Sequence, residues 1–190
     1  MARKVFVAAT GQNSGKTTTS LSLMYMARKK YKRVGFIKPF GPKPSIARNG
    51  MVADKDAVLM AEVFGLEEDL SLMSPLVLHP GDTQKLLEGE LSGAEMERKM
   101  FHAIDELDRK NDFLIIEGAG HTGVGSVLGF SNARVANIAD APVVMVTGGG
   151  VGNVVDSAYM NLALFEKEQA DVRAVLVNKI IPEKREKTLR

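Results

Sequence analysis

The sequence predicts an α/β domain: a three-layer, doubly wound, mostly parallel sheet with helices on both faces. Apolar runs of strand length alternate with amphipathic stretches of helix length, the mark of strands joined by crossover helices. Several of these runs are nearly continuous in apolar, β-branched residues, as strands covered on both faces should be. Unusual polar residues also fall at the carboxyl ends of the runs, where open α/β sheets bind their ligands.

The first strand is read at Lys4–Ala9, and after a small-residue loop a helix follows over Lys16–Lys30. The second strand, Arg33–Lys38, runs into Pro39 and the loop Gly41-Pro42-Lys43-Pro44, and a helix is expected at Lys55–Phe64. Between Gly65 and Gly93 the pattern is irregular, with a short helical piece at Asp82–Leu87. A helix over Ala94–Arg109 is well signalled. Ser92 and Glu95 form a capping-box pattern, and Met96, Met100, Ile104 and Leu107 share one face. Then come a strand at Phe113–Glu117, a loop at Gly118–Gly129, a helix at Asn132–Ala139 and a strand at Val143–Thr147. The last pair is a helix at Asn153–Glu168, with Val154, Val155, Ala158, Leu162 and Phe165 on one side, and a strand at Arg173–Asn178. Pro182–Arg190 reads as the first turns of a helix with Pro182 at its first position. A helix beginning with nothing to pack against fits either a longer natural protein, of which this is the N-terminal part, or a frayed tail.

With 190 residues, 45% apolar and 25% charged, the chain can build a single domain with a substantial core. The net charge of +2 is too small to argue for nucleic acid or a membrane surface. No apolar run approaches a membrane span, and the N-terminal residues Met1–Lys4 lead straight into a strand rather than a secretion signal. Cysteine is absent, which excludes disulfides and thiolate metal sites and fits a cytoplasmic protein. The ten methionines read as core filler.

The loop between the first strand and its helix carries the chemistry. Thr10–Thr18 reads T-G-Q-N-S-G-K-T-T, a small-residue turn that opens a helix. Such a turn presents backbone N–H groups to phosphate oxygens, and the helix N-terminus adds the positive end of its dipole. Gly11, Gln12, Asn13, Ser14, Gly15, Lys16, Thr17 and Thr18 are the expected nucleotide-binding residues. Lys16 reaches the β- and γ-phosphates, and the Thr17 hydroxyl ligates Mg²⁺. Measured against G-x-x-x-x-G-K-[ST] the match is imperfect, because Thr10 stands where the first glycine belongs and the nearest glycine is Gly11. The bland alternative is a structural strand-to-helix turn.

Other candidates cluster at strand ends. Glu117 closes its strand before Gly118-Ala119-Gly120 and is read as a magnesium carboxylate, the alternative being an exposed acid. Asp56 would complete the metal site with Thr17, or else simply favour a helix N-terminus. Lys38, at the end of a central strand, would be costly there unless an anion such as a phosphate or substrate carboxylate neutralised it. A solvated loop position is expected for His121, and His79 and His102 have no metal spacing and read as structural. Asn178-Lys179 resembles the first half of N-K-x-D, but the aspartate position is Ile181, so guanine has no support. An asparagine amide still accepts adenine, so ATP is expected.

Taken together, T-G-Q-N-S-G-K-T-T, G-F-I-K-P (Gly35–Pro39), the helix start at Asp56, I-I-E-G-A-G (Ile115–Gly120) and V-L-V-N-K (Val175–Lys179) resemble the dethiobiotin synthetase family of P-loop NTPases. Its relatives include cobyrinic acid a,c-diamide synthases and the N-terminal domain of long phosphotransacetylases. The resemblance implies that Lys16 and Thr17 bind phosphates and magnesium, that Asp56 and Glu117 are magnesium carboxylates, that Lys38 is a substrate-side catalytic lysine alongside Lys16, and that Asn178 reads the purine. The implied chemistry is ATP-dependent activation of a small carboxylate or carbamate for attack by an amine, in a homodimer. Several positions depart from the family. Gly11 and Gln12 replace an acidic residue and a substrate threonine, Pro42 replaces a serine, and no Ser-Pro-His segment is recognisable between Ser74 and Leu91. The stretch Leu78–Glu90 looks more like the phosphotransacetylase-type relatives. Three functions are therefore carried forward: a ligase-type enzyme, a nucleotide-sensing domain with little turnover, and, least favoured, a partition-type ATPase. The last class places a second lysine where Gly11 stands.

Overall fold

The computed structural model describes residues 1–66, 69–150, 152–184 and 186 of the chain. β1 (Arg3–Ala9) ends in five consecutive buried residues and leads through the glycine-containing loop into α1 (Lys16–Ala27) and then β2 (Val34–Ile37). Next come β3 (Phe40–Gly41), β4 (Pro44–Ile46), β5 (Val52–Asp54), α2 (Lys55–Phe64), α3 (Leu70–Met73), β6 (Leu76–Val77) and α4 (Asp82–Leu87). The chain finishes with α5 (Gly93–Lys110), β7 (Phe113–Glu117), α6 (Asn132–Ile138), β8 (Val143–Thr147), α7 (Gly152–Lys167) and β9 (Val172–Val177).

The main sheet is parallel throughout, in the order β2-β7-β1-β8-β9. From β1 the chain steps outward to β2, returns to seat β7 between them, and then crosses to β8 and β9 on the other side. The crevice beyond the carboxyl end of β1 therefore lies where the strand order reverses, the ligand position of such sheets.

Alternation along the strands divides the core into two layers. Phe6 and Ala8 of β1, with Leu114 and Ile116 of β7, meet Met100, Ile104 and Leu107 of α5 on one face. Val5, Val7 and Ala9, with Ile115, pack against Met24 of α1, Met60 of α2 and Met73 of α3 on the other. Five methionines, these four and Met145, are thus core filler where helices meet the sheet.

α5 starts as expected, the Ser92 hydroxyl accepting from the Glu95 amide at 3.3 Å. α1 ends at Ala27, three residues short of the expected Lys30, because Lys29 and Lys30 continue in i→i+3 turns onto Met26 and Ala27. β3 and β6 pair in parallel and β4 and β5 antiparallel, in a region that was read as loop and irregular chain. These strands have two or three residues each, too few for a period of two to register. β9 forms as expected but differs from the inner strands. As the edge strand it leaves Val175 42% and Leu176 41% exposed instead of buried on both faces. Pro182–Lys184 forms a single 3-10 turn, and residues 185 and 187–190 of the expected terminal helix lie outside the described residues. No helix among the described residues is long and apolar enough to cross a membrane.

This division of burial is measurable. Ile116→Ala, at a position fully shielded in the sheet, should cost about 2–5 kcal/mol in denaturant unfolding, and Leu176→Ala on the exposed edge less than about 1 kcal/mol. Equal losses would contradict the edge assignment of β9.

Candidate functional site

Thr10 leaves β1 bonded to the next strand, its N–H donating to the Val146 carbonyl at 3.0 Å and its hydroxyl to Thr147 Oγ1 at 3.2 Å. The chain then turns back on itself through Asn13 (φ 57°) and Gly15 (φ 109°), and the Ser14 hydroxyl closes the turn on the Gly11 carbonyl at 3.1 Å. Asparagine tolerates the left-handed region, but Gly15 is required, since a Cβ there would collide with the Asn178 amide. α1 begins with no side-chain cap and no acid in its first turn. Its first backbone N–H groups are therefore open donors at the positive end of the helix dipole, an arrangement built for an anion.

The turn borders a cavity of about 490 Å³, within the size range of small-molecule sites. Gln12, Asn13, Gly15, Lys16, Thr17 and Thr18 line it from the loop. Lys38, Asp56, Glu117 and Asn178 reach it from four other elements or strand ends. Gly11 and Ser14 lie behind the lining and hold the turn's shape.

The charged groups engage one another. Lys16 is 9% exposed, and its Nζ donates to the Gly120 carbonyl at 2.7 Å. Burial, followed by the neighbouring charge of Lys38, lowers its pKa to about 8. Lys38 Nζ donates to Asp56 Oδ2 at 2.7 Å and Glu117 Oε1 at 2.8 Å. Burial pulls the Lys38 ammonium down, but the charges of Glu117, Asp56 and Asp54 outweigh it and hold the pKa above the ordinary value. Asp56 is the mirror case: burial pushes its carboxyl up, and the charge and hydrogen bond of Lys38 carry it below the usual range. The anion expected to neutralise Lys38 was a ligand. Instead the protein supplies two carboxylates of its own, as a buried cation requires.

The Thr17 hydroxyl donates to Glu117 Oε1 at 3.2 Å. Glu117 Oε2 is fully buried with no partner among the described residues. An orphaned carboxylate oxygen beside a threonine hydroxyl and a second carboxylate suits a hard divalent cation. The described residues contain no group of three acidic, histidine or cysteine side chains, so such an ion would draw its remaining oxygens from phosphate and water.

Asn178 and Lys179 strap the turn from the far side. Asn178 Nδ2 donates to the Ser14 carbonyl at 2.9 Å, and Lys179 Nζ donates to the Asn13 carbonyl. This leaves the Asn178 side-chain oxygen and the second N–H of its amide free. His121 stands outside the cavity lining, its Nδ1 accepting from the Gly123 N–H at 3.2 Å. His79 and His102 are exposed on the surface.

Two residues here escaped the sequence reading. Asp54 is fully buried, and one oxygen caps α2 by accepting from the Asp56 N–H at 2.9 Å. Burial pushes its pKa up. Its N-cap position just before a helical run was a usable signal. Asn132 takes the Ala119 N–H at 3.0 Å and donates to the Ala119 and His121 carbonyls, pinning the glycine-rich turn after β7. A lone asparagine 13 residues from its partner carries no such signal.

A family model described as AAA domain matches residues 3–190. The chain is 25% identical to a cobyric acid synthase of Lachnoclostridium phytofermentans, over 94% of this chain and 38% of that protein. It is 26% identical to an ATP-dependent dethiobiotin synthetase of Methanocaldococcus jannaschii, over 92% and 78%. With a phosphate acetyltransferase of Synechocystis it shares 23% identity, over 96% and 26%. The chain thus spans well under half the length of the first and third of these relatives. Among solved structures, a plasmid partition protein of Borrelia burgdorferi bound to AMPPNP superimposes with a TM-score of 0.60 at 12% identity, covering 99% of this chain and 80% of that one. The kinase domain of the Escherichia coli tyrosine kinase ETK gives 0.55 at 13%, covering 95% and 68%. At such identities these two likenesses speak for the fold alone. The chain belongs to the AAA domain family, as a P-loop ATP-binding domain related to dethiobiotin synthetase and cobyric acid synthase.

Proposed function

We propose that this domain binds ATP with magnesium and uses it to activate a small carboxylate or carbamate for attack by an amine. The observation that carries this reading is the buried Lys38–Asp56–Glu117 cluster beside Lys16 and the open N-terminus of α1. Two lysines, a carboxylate pair and open backbone N–H groups surround one cavity, which supports phosphate and divalent-cation binding there. In this reading the loop from Gly11 to Thr18 cradles the triphosphate, and Lys16 leaves the Gly120 carbonyl to hold the phosphates. Thr17, Asp56 and Glu117 hold magnesium, which when bound neutralises charge on the phosphates. Lys38 steers the substrate carboxylate, whose oxygen bonds to the γ-phosphorus as the bond to ADP breaks and ADP departs with the electron pair. An amine then adds to the acyl-phosphate, losing a proton and expelling phosphate. Fixed cations stabilise the phosphoryl group throughout. Asn178, with one N–H of its amide committed to Ser14, keeps its side-chain oxygen as an acceptor, which suits the amino group of adenine. The reading includes a homodimer, as the resemblance to the dethiobiotin synthetase family implies.

A second reading, a nucleotide sensor with little turnover, draws on the Lys16–Gly120 link. Phosphates arriving at Lys16 release the turn after β7 whether or not chemistry follows. Steady-state ATP consumption with a panel of carboxylates separates the two: rates that never exceed background favour the sensor.

Lys16→Ala should weaken ATP binding at least roughly 100-fold in calorimetry, since a buried charge-assisted contact is lost; unchanged affinity would remove the phosphate-loop assignment. ATP should outcompete GTP in the same assay, and a preference for GTP would contradict the reading of Asn178. The Lys16 pKa of about 8 adds a proton linkage. Phosphates favour the ammonium and raise that pKa, so binding takes up protons between about pH 8 and the raised value, and almost none near pH 7, where Lys16 is already charged. Calorimetry at pH 8.5 in buffers of different ionisation enthalpy should report uptake of up to about three-quarters of a proton, and Lys16→Arg should abolish it. Proton release at that pH would refute the assignment.

A further inference from the structure

The cavity has a second cationic wall that the nucleotide does not need. Lys43, in the β3–β4 loop, and Lys55, the first residue of α2, line it together, joined by a bond from the Lys55 N–H to the Lys43 carbonyl at 2.9 Å. Both are exposed, and neither forms an ion pair among the described residues. The backbone beneath them is held by Asp54, whose carboxylate accepts from the Lys43 N–H at 3.3 Å and the Asp56 N–H at 2.9 Å. Gly41 is needed next to it, because a Cβ there would strike that carboxylate.

The nearby acids are already occupied. Asp54 is buried on those backbone groups, and Asp56 and Glu117 both bind Lys38. With Lys16 assigned to the phosphates, Lys38 bonded to its carboxylates and Lys179 bonded to the Asn13 carbonyl, Lys43 and Lys55 remain as two positive charges on the cavity with no ion pair among the described residues. Among the described residues the lining also lacks any aromatic, leucine, isoleucine, valine or methionine side chain, its apolar members being Pro42 and Ala119. A substrate with a long hydrocarbon part finds nothing to pack against.

We propose that Lys43 and Lys55 form a second anion subsite, and that the substrate is a small dianion with one carboxylate presented at Lys38 and a second anionic group on these lysines. This rests on the ATP-dependent activation proposed above and narrows its substrate to a dicarboxylate or a phosphorylated carboxylate.

The test is calorimetry on the full chain saturated with magnesium and AMPPNP, titrated with succinate, phosphoglycolate and butyrate. At least one dianion should bind roughly tenfold or more tighter than butyrate, and Lys43→Gln/Lys55→Gln should cut that preference to about twofold or less without changing AMPPNP affinity. A preference for succinate assigns a dicarboxylate and one for phosphoglycolate a phosphorylated acid; either supports the subsite. Equal affinity for butyrate, no binding of any of the three, or a preference that survives the double substitution overturns it while leaving the nucleotide reading intact. Failure of AMPPNP itself to bind the unsubstituted chain would overturn both.

Discussion

Everything at this site depends on placing one ammonium, Lys38, at the end of a buried strand. A lone charge at 4% exposure is untenable, so the fold brings Asp56 and Glu117 to within 2.8 Å of it. Each carboxylate comes from a different element, α2 and β7, so the ion triad also fixes how the inserted β3–β6 region sits against the sheet. Two carboxylates against one lysine leave an excess of negative charge, and Glu117 Oε2 is left with no donor. Such a cluster is complete only when another cation arrives. In the proposed function a divalent ion carried in with phosphates would meet that need, beside the Thr17 hydroxyl that already bonds Glu117.

The phosphate loop is shaped from outside as much as by its own glycine. Asn178 and Lys179 hold its carbonyls from beyond β9, and Thr10 ties its start to β8. These contacts turn the loop's carbonyls toward protein donors, which leaves its N–H groups and the first turn of α1 for a ligand. An acid or a capping side chain in that turn would have stabilised α1 by itself and competed with the anion. Their absence is a local cost that makes sense only with an anion bound.

The five strands of the sheet were legible because strands buried on both faces are long apolar runs, and the site residues because polar groups at their carboxyl ends stand out against them. The short strands β3 to β6 were not, since two or three residues carry no period. The role of Asp54 stayed hidden for a related reason: its value lies in contacts to Gly41 and Lys43, more than ten residues away, that only the β4–β5 hairpin creates. Lys38 was legible as a costly charge, but its partners were not, because pairing across α2 and β7 is a tertiary fact. That β9 lies at the edge was not legible, because an edge strand and a central strand can have the same composition, and only topology tells them apart.

Two of the departures from the dethiobiotin synthetase pattern lie on the cavity lining, and a third, Gly11, lies behind it. Lys16, Thr17, Lys38, Asp56, Glu117 and Asn178 match, and they contact one another or the phosphate loop. Gln12 and Pro42 do not match, and they lie on the cavity where no such contact holds them. A residue inside the ion network changes only with loss of a buried partner, at a cost of several kcal/mol, whereas a lining residue outside it changes at little cost to folding. The wall outside the ion network, where Lys43 and Lys55 stand, is therefore where a substitution costs folding least, and where specificity has room to differ.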